Sequence, residues 1–416
     1  MSTNRIERTV LANRLRVLVE PVDYVESVAL GLWVGTGSRY ESPQEAGISH
    51  VLEHMMFKGT KSRTAKQIAE EIEGRGGSLN AFTDREFTCY YARVLSDDLP
   101  VAMDVLCDML VNSLFDPEEL ARERQVILDE IKRHEDEPDD LVHDLHARAC
   151  WDGHPLAPPV IGTAESVSAI KREGLVDYIE RRYRPNRIVV SVAGNADPAD
   201  VVRMVEERLG LLSGFAAVSN EQPPDLKPQR QSLARDVEQV HFCYGGRGYG
   251  QHDPKKYVAG VLDALLGGSM SSRLFQEIRE KRGLAYAIGS YTTCHAEGGL
   301  FTVYGGTSLA NFPQVLDLIR VELNKVVSEP PPADEVERVK NQIRGNLVLG
   351  LESMSSRMSR MARNELYFER VVPLEETIER INAVKPEDLQ RAAAECFGED
   401  RMSLTAVGPF GREAQA

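Results

Sequence analysis

The chain has 416 residues, of which 42% are hydrophobic and 27% are charged, and its formal net charge at pH 7 is −15. This composition is typical of a soluble globular protein with two to four domains. The negative charge argues against general binding to nucleic acids or to anionic membranes, and it favours cationic partners such as basic peptides.

The first ten residues lack the apolar core of a signal peptide, and no run of about 20 apolar residues could span a membrane. The six cysteines are scattered without a Cys-x-x-Cys pair. We therefore expect a cytoplasmic protein with reduced, mostly buried thiols. A nucleophilic role for Cys150 or Cys243 has no support in the pattern, because a free cysteine is usually a small buried hydrophobe.

In chain order, alternation and turn residues predict a β-hairpin that turns at Ala12 and Asn13, followed by a more apolar strand. Helical spacing and capping residues then predict helices that flank a further pair of strands. The predicted segments are a hairpin over 5–20, a strand over 25–34, helices over 47–57 and 65–73, strands over 78–83 and 87–94, and helices over 99–111 and 116–131.

The helix over 47–57 carries a concentrated set of potential metal ligands. His50 and His54 are four residues apart, so their imidazoles lie on one face, one turn above the other. Glu53 borders the same face, and the order His-x-x-Glu-His is the reverse of the common zinc-peptidase motif. The other residues are mainly apolar, so a solvated polar face is a poor alternative.

A catalytic zinc site needs a third protein ligand and one open position for water. The helix over 116–131 offers Glu130, which Val126 and Ile131 flank on the side expected to be buried. The spacing alone does not select Glu130 over Glu119 or Asp129.

The second half of the chain repeats the pattern of the first. Residues 175–194 and 389–408 both read as helix, turn, strand and glycine, at an offset of 214 residues. Residues 51–53 match 261–263 at an offset of 210, with Gly260 and Ala264 in place of the histidines. Near-constant offsets indicate a duplicated domain in which only the first copy keeps the metal site. We predict domains at 1–212 and 232–416, joined by a proline-containing linker over 213–231.

With these residues in place, the chain resembles the pitrilysin family of zinc metallopeptidases, and most closely its processing-peptidase type. His50, Glu53 and His54 match the inverted zinc motif, and Glu130 stands where the family has its third zinc ligand. Glu123 matches a glutamate that orients a histidine ligand. The resemblance implies a Zn²⁺ cofactor and a peptide-bond hydrolase in which Glu53 is the general base.

The resemblance also implies residues that hold the substrate. Asn80, Ala81 and Phe82 lie in a segment similar to the edge strand to which the family adds the substrate backbone. Arg279 and Tyr286 resemble the arginine–tyrosine pair that holds the substrate and polarises the scissile carbonyl. From composition alone, Arg279 would be a surface charge and Tyr286 a packed aromatic residue.

The implied fold is α+β, with two homologous α/β sandwich-type domains in a clamshell arrangement that encloses a chamber for unfolded peptides. One chain carries both the zinc motif and the arginine–tyrosine pair, which favours a homodimer. The alternative is a non-catalytic structural subunit or a heterodimer partner of the same family. His143 and His146 are three residues apart on a predicted helix, but Asp140 and Asp144 nearby favour a solvated face over a second metal site.

Overall fold

The computed structural model describes residues 6–217, 226–398 and 400–411. Residues 218–225 of the predicted linker lie outside the described residues, as do residues 1–5 of the N-terminal segment that was expected to contain no signal peptide. Among the described residues, no helix is both long and apolar enough to cross a membrane.

The strands are numbered in chain order. They are β1 (Glu7–Val10), β2 (Arg16–Pro21), β3 (Ser27–Val34), β4 (Ser78–Thr83), β5 (Thr88–Leu95), β6 (Ile188–Gly194), β7 (Arg230–Ala234), β8 (Val240–Gly248), β9 (Ala285–Cys294), β10 (Gly299–Thr307) and β11 (Met402–Gly408).

The helices are numbered in the same way. They are α1 (Ile48–Met56), α2 (Ala65–Glu73), α3 (Leu99–Asn112), α4 (Pro117–Asp136), α5 (Pro138–Cys150), α6 (Ala164–Ala169), α7 (Arg172–Arg182), α8 (Pro198–Leu209), α9 (Lys256–Leu266), α10 (Phe312–Ser328), α11 (Ala333–Gly350), α12 (Met354–Phe368), α13 (Leu374–Asn382) and α14 (Pro386–Cys396). A π-helical segment covers Phe275–Glu280, and short 3₁₀ turns cover Ser38–Tyr40, Pro43–Glu45, Ser96–Asp98 and Pro185–Arg187.

The described residues form two compact units, each assembled from separate parts of the chain. The first unit contains 6–131, 158–217 and 349–372, and the second contains 132–157, 226–348, 373–398 and 400–411. The domain boundaries predicted from the sequence repeat, at residues 212 and 232, stay a prediction.

The first unit is built on a mixed sheet whose described strands follow the order β1-β2-β6-β3-β5-β4. Strands β2 and β6 are parallel, and the other neighbours are antiparallel. The central strands β3 and β6 are buried almost throughout, which explains why they read as apolar runs without alternation. One face packs on a core that includes α1, α3 and α8, and α12 covers the other face through Met354, Met358 and Met361.

The second unit repeats this topology. Its described strands follow the order β7-β11-β8-β10-β9, with β7 and β11 parallel and the other neighbours antiparallel. This matches β2-β6-β3-β5-β4 of the first unit, strand for strand and direction for direction. Strands β6 and β11 stand 214 residues apart, the offset found in the sequence. The α+β class and the duplication are therefore confirmed.

The two units are not simply the two halves of the chain, because each contains one helix from the other half. Helix α5, from the first half of the sequence, belongs to the second unit and packs on β8 and β11. Helix α12, from the second half, belongs to the first unit and packs on β2, β3 and β6. Since α5 and α12 occupy the same place in the two repeats, the exchange is reciprocal.

The expectation of a solvated helix around His143 and His146 was wrong for His146. Helix α5 buries Val142, His146 and Cys150 against its sheet and turns its acidic residues outward, and His146 is only 1% exposed. Its Nδ1 lies 3.3 Å from the Thr405 hydroxyl. In the described part of the chain these histidines join no group of three potential metal ligands.

Candidate metal centre

Helix α1 begins at a tightly constrained turn. Gly47 precedes the helix with φ of 88°, and a Cβ at this position would lie 2.8 Å from the carbonyl oxygen of Ile161. The Glu41 carboxylate accepts hydrogen bonds from the backbone N–H groups of Gly47 at 2.7 Å and Ser49 at 2.8 Å. These bonds satisfy donors that the first turn of a helix leaves unpaired. Burial raises the pKa of Glu41 to about 7, against the opposing effect of the Ser49 and Gly47 hydrogen bonds.

The structure brings the three predicted ligands together. The imidazole rings of His50 and His54 have centroids 4.7 Å apart. From α4, the Glu130 Oε2 atom lies 3.8 Å from His50 Nε2 and 3.7 Å from His54 Nε2. One ligand atom from each residue lies within 4.8 Å of the other two, and no other group of three potential ligands meets this condition among the described residues.

These residues fit a zinc ion. Nitrogen and oxygen atoms at about 2.0–2.2 Å from zinc lie roughly 3.3–3.6 Å apart at a tetrahedral angle. This is slightly closer than the 3.8 and 3.7 Å from Glu130 Oε2 to the Nε2 atoms of His50 and His54. Two histidines and one glutamate form a donor set of the catalytic zinc type, which leaves a fourth position open. Burial, followed by the neighbouring His54, lowers the pKa of His50 to about 4. At neutral pH this imidazole is therefore uncharged, as a metal ligand must be.

Glu53 lies between the histidines on α1 and is held by a residue of β4. The Thr83 hydroxyl donates a hydrogen bond of 2.6 Å to Glu53 Oε2. Burial raises the pKa of Glu53, and the nearby Glu130 acts in the same direction, whereas the Thr83 hydrogen bond and His54 oppose the rise. A carboxylate that gains a proton more readily is suited to act as a base toward water. Thr83 was not predicted from the sequence, although the alternation of β4 places it on the same face as the buried Ala81.

Glu123 makes the contact expected of a residue that orients a ligand. Its Oε2 lies 3.0 Å from His54 Nδ1, and its Oε1 forms an ion pair with Lys58, 2.6 Å from Nζ. The residue is 7% exposed. His50 has no equivalent, because its Nδ1 is buried without a hydrogen-bond partner among the described residues.

The candidate substrate strand β4 lies at one edge of the first sheet, and its one neighbour among the described strands is β5. Ala81 is buried, whereas Asn80 and Phe82 point to the opposite face. Phe82 packs edge to face on Trp33, with ring centroids 5.5 Å apart. Because β4 is the last strand of the sheet, the backbone groups along its outer edge could pair with an extended peptide.

Arg279 and Tyr286 are brought together within the second unit. The Arg279 guanidinium lies 4.7 Å from the ring centroids of both Phe275 and Tyr286. Tyr286 is 78% exposed, so the expectation of a packed aromatic residue from composition was wrong. The role of Arg279 and Tyr286 in holding a substrate stays a prediction.

The cysteines are poor nucleophile candidates. Cys150 and Cys243 are both buried, and burial raises the pKa of each thiol, to about 11 for Cys150. A thiol with a raised pKa carries little of the reactive thiolate.

Comparison with known proteins places the whole chain in one family. Residues 16–164 match the family described as "Insulinase (Peptidase family M16)", and residues 169–343 match "Peptidase M16 inactive domain". A protein of Bacillus subtilis named "Uncharacterized zinc protease YmxG" is 40% identical, over 98% of this chain and 99% of its own. A protein of Streptomyces coelicolor named "Uncharacterized zinc protease SCO5738" is 41% identical, over 97% of this chain and 90% of its own.

Solved structures show the same fold at low sequence identity. A protease from Helicobacter pylori superposes with a TM-score of 0.90 at 20% identity, over 98% of this chain and all of the other. A Pseudomonas fluorescens structure described as a peptidase M16 inactive domain gives a TM-score of 0.91 at 20% identity, over 98% of this chain and 99% of the other.

At the level of the family, the chain is a metallopeptidase. Its fold, its clustered histidines and glutamate, and the names of its relatives all agree with this class. The chain belongs to peptidase family M16. The resemblance seen in the sequence is therefore confirmed at the level of the family. The match to an inactive domain agrees with the second copy, where Gly260 and Ala264 of α9 replace the histidines.

Proposed function

We propose that this chain is a zinc metalloendopeptidase in which His50, His54 and Glu130 bind Zn²⁺. The main support for the proposal is the convergence of their three ligand atoms. When bound by three protein ligands, zinc lowers the pKa of water toward about 7 and polarises a carbonyl group. Glu53 takes the proton from the attacking water and delivers it to the leaving amine. Glu123 fixes the orientation of His54 through Nδ1.

The substrate in this proposal is an extended peptide that adds to the free edge of β4. Backbone groups of Asn80, Ala81 and Phe82 pair with it as a neighbouring strand would, which gives affinity with little dependence on sequence. The net charge of −15 favours basic peptides.

Arg279 and Tyr286 complete the proposed machinery by holding the substrate and stabilising the oxyanion. Loss of one such donor typically lowers the rate by about 10²–10³. The adjacency of the exposed Tyr286 and the Arg279 guanidinium supports this role. The enclosed chamber, the cytoplasmic location and the homodimer stay predictions.

The general base provides the test of this function. We expect Glu53→Gln to retain about one zinc ion per chain and to lower peptide cleavage by at least about 10³-fold, because glutamine cannot accept the proton of water. Zinc content and cleavage of a panel of basic and neutral peptides are measured on the same preparations. Glu73→Gln, an exposed position on α2, serves as the control.

A Glu53→Gln variant that cleaves peptides at the wild-type rate would show that the base is assigned wrongly. A wild-type chain that binds zinc but cleaves none of the peptides would favour the alternative of a non-catalytic structural subunit or a heterodimer partner.

A further inference from the structure

Lys58 is a charged residue beside the metal site for which the proposed mechanism has no role. It follows the end of α1, four residues after His54, and its side chain is 28% exposed. The Lys58 ammonium forms an ion pair with the Glu123 carboxylate, in which Nζ lies 2.6 Å from Oε1. The backbone N–H of Lys58 also donates to the Met55 carbonyl, which ties the residue to the last turn of the helix.

Glu123 is a nearly buried carboxylate that needs partners on both oxygens. Its Oε2 lies 3.0 Å from His54 Nδ1, and its Oε1 is bound to Lys58. A buried carboxylate that lacks a partner is unfavourable, so the loss of either contact leaves such a group beside the metal ligand. His54 in the last turn of α1 and Lys58 just beyond its end are therefore bridged by a single carboxylate from α4.

We propose that Lys58 is a positioning residue for the metal site, acting through Glu123 on His54. Lys58 holds the Glu123 carboxylate in the orientation that accepts the Nδ1–H of His54, so that the Nε2 lone pair of this imidazole is directed at the metal. The inference rests on the proposed function, since it presupposes that His54 binds zinc. It applies to His54 alone, because the buried Nδ1 of His50 has no hydrogen-bond partner among the described residues.

An ordinary surface ion pair would not have this effect, and the chain offers one for comparison. Lys66 and Glu70 on α2 lie 3.3 Å apart with side chains 81% and 61% exposed. Exposed pairs of this kind contribute little, because water screens both charges. Lys66→Met therefore removes a lysine and an ion pair without disturbing a buried carboxylate, and it is the matched control.

The test is the zinc dissociation constant of the full chain, measured by competition with a chromophoric chelator. We expect Lys58→Met to weaken zinc binding by about 10-fold or more, which is the range for residues that support a metal ligand. Lys58→Arg should restore most of the affinity, and Lys66→Met should leave it unchanged. Glu123→Gln should weaken binding, and adding Lys58→Met to it should cause little further loss, because both residues act through one contact.

The free energy of unfolding of each metal-free variant shows whether the variant is folded, so that a loss of zinc affinity can be assigned to positioning. Lys58→Gln provides a second neutral variant if Lys58→Met does not fold. Wild-type affinity in a folded neutral variant, or losses that multiply in the double variant, would overturn the role of Lys58 alone. A wild-type chain that binds no zinc would overturn the proposed function and the role of Lys58 with it.

Discussion

Glu53 depends on a residue that is distant from it in the sequence. The Thr83 hydroxyl, at the end of β4, engages one carboxylate oxygen of Glu53, 30 residues away. The strand that we propose to receive the substrate therefore also orients the proposed base.

Replacement of Thr83 by valine keeps the side-chain shape and removes the donor. We expect Thr83→Val to lower kcat by roughly 10-fold or more with unchanged zinc content, because Glu53 loses the group that fixes its carboxylate. Thr83→Ser, which keeps the hydroxyl, should recover most of the activity. Steady-state kinetics and metal analysis measure both effects, and a Thr83→Val variant with wild-type kcat would show that the hydrogen bond has no part in turnover.

The sequence predicts contacts within one helix better than contacts between elements. His50, Glu53 and His54 could be found from their spacing, because helical geometry alone puts them on one face. Spacing could not separate Glu130 from Glu119 or Asp129, because the choice depends on how α4 lies against α1. Lys58 and Thr83 were missed for the same reason.

At the scale of the element, α5 shows where the pattern of polar residues was misleading. Its sequence alternates acidic residues with histidines, which favoured a solvated helix, yet His146 is buried against its sheet. Burial, followed by repulsion from His143, lowers the pKa of His146 to about 3. Composition could not reveal this, because an imidazole is tolerated in a core when it stays neutral.

The buried His146 makes stability depend on pH. Its pKa is about 3 in the folded chain and about 6.5 when unfolded, so below pH 6.5 only the unfolded chain gains the proton. The stabilising effect is complete above pH 6.5 and is lost progressively as the pH falls toward 3. When the pH falls from 7 to 5, protonation of this imidazole in the unfolded chain should lower the free energy of unfolding by about 2 kcal/mol.

Denaturant unfolding at the two pH values, of wild type and of His146→Gln, measures this contribution. The variant should lose about 2 kcal/mol less than the wild type over this interval, because glutamine does not titrate. Equal losses in the two proteins would mean that His146 is not held neutral in the fold.

At the scale of the whole molecule, the duplication was visible in the sequence, and the exchange of helices was not. The offset of 214 residues predicted the correspondence of β6 with β11 and of α7 with α14, and the strand orders agree with it. An amphipathic pattern shows which face of a helix is buried but not which sheet covers it. The places of α5 and α12 in opposite units therefore required the structure.

Among the described residues, only the first copy carries the candidate metal site, although the second copy keeps the corresponding helix. Helix α9 keeps the apolar residues that bury it, Val261, Leu262 and Leu265, while Gly260 and Ala264 supply no ligand. Packing and metal binding depend on different faces of the helix, so the fold of the second copy is preserved without its histidines.

In the proposed metal centre, His50, His54 and Glu130 bind one zinc ion. An anomalous difference map from crystals of the zinc-loaded chain, collected at the zinc absorption edge, tests it most directly. We predict one strong peak per chain at about 2.0–2.2 Å from His50 Nε2, His54 Nε2 and a Glu130 carboxylate oxygen. A map with no peak at this position, or with its strongest peak at other residues, would show that these three residues are not the zinc site.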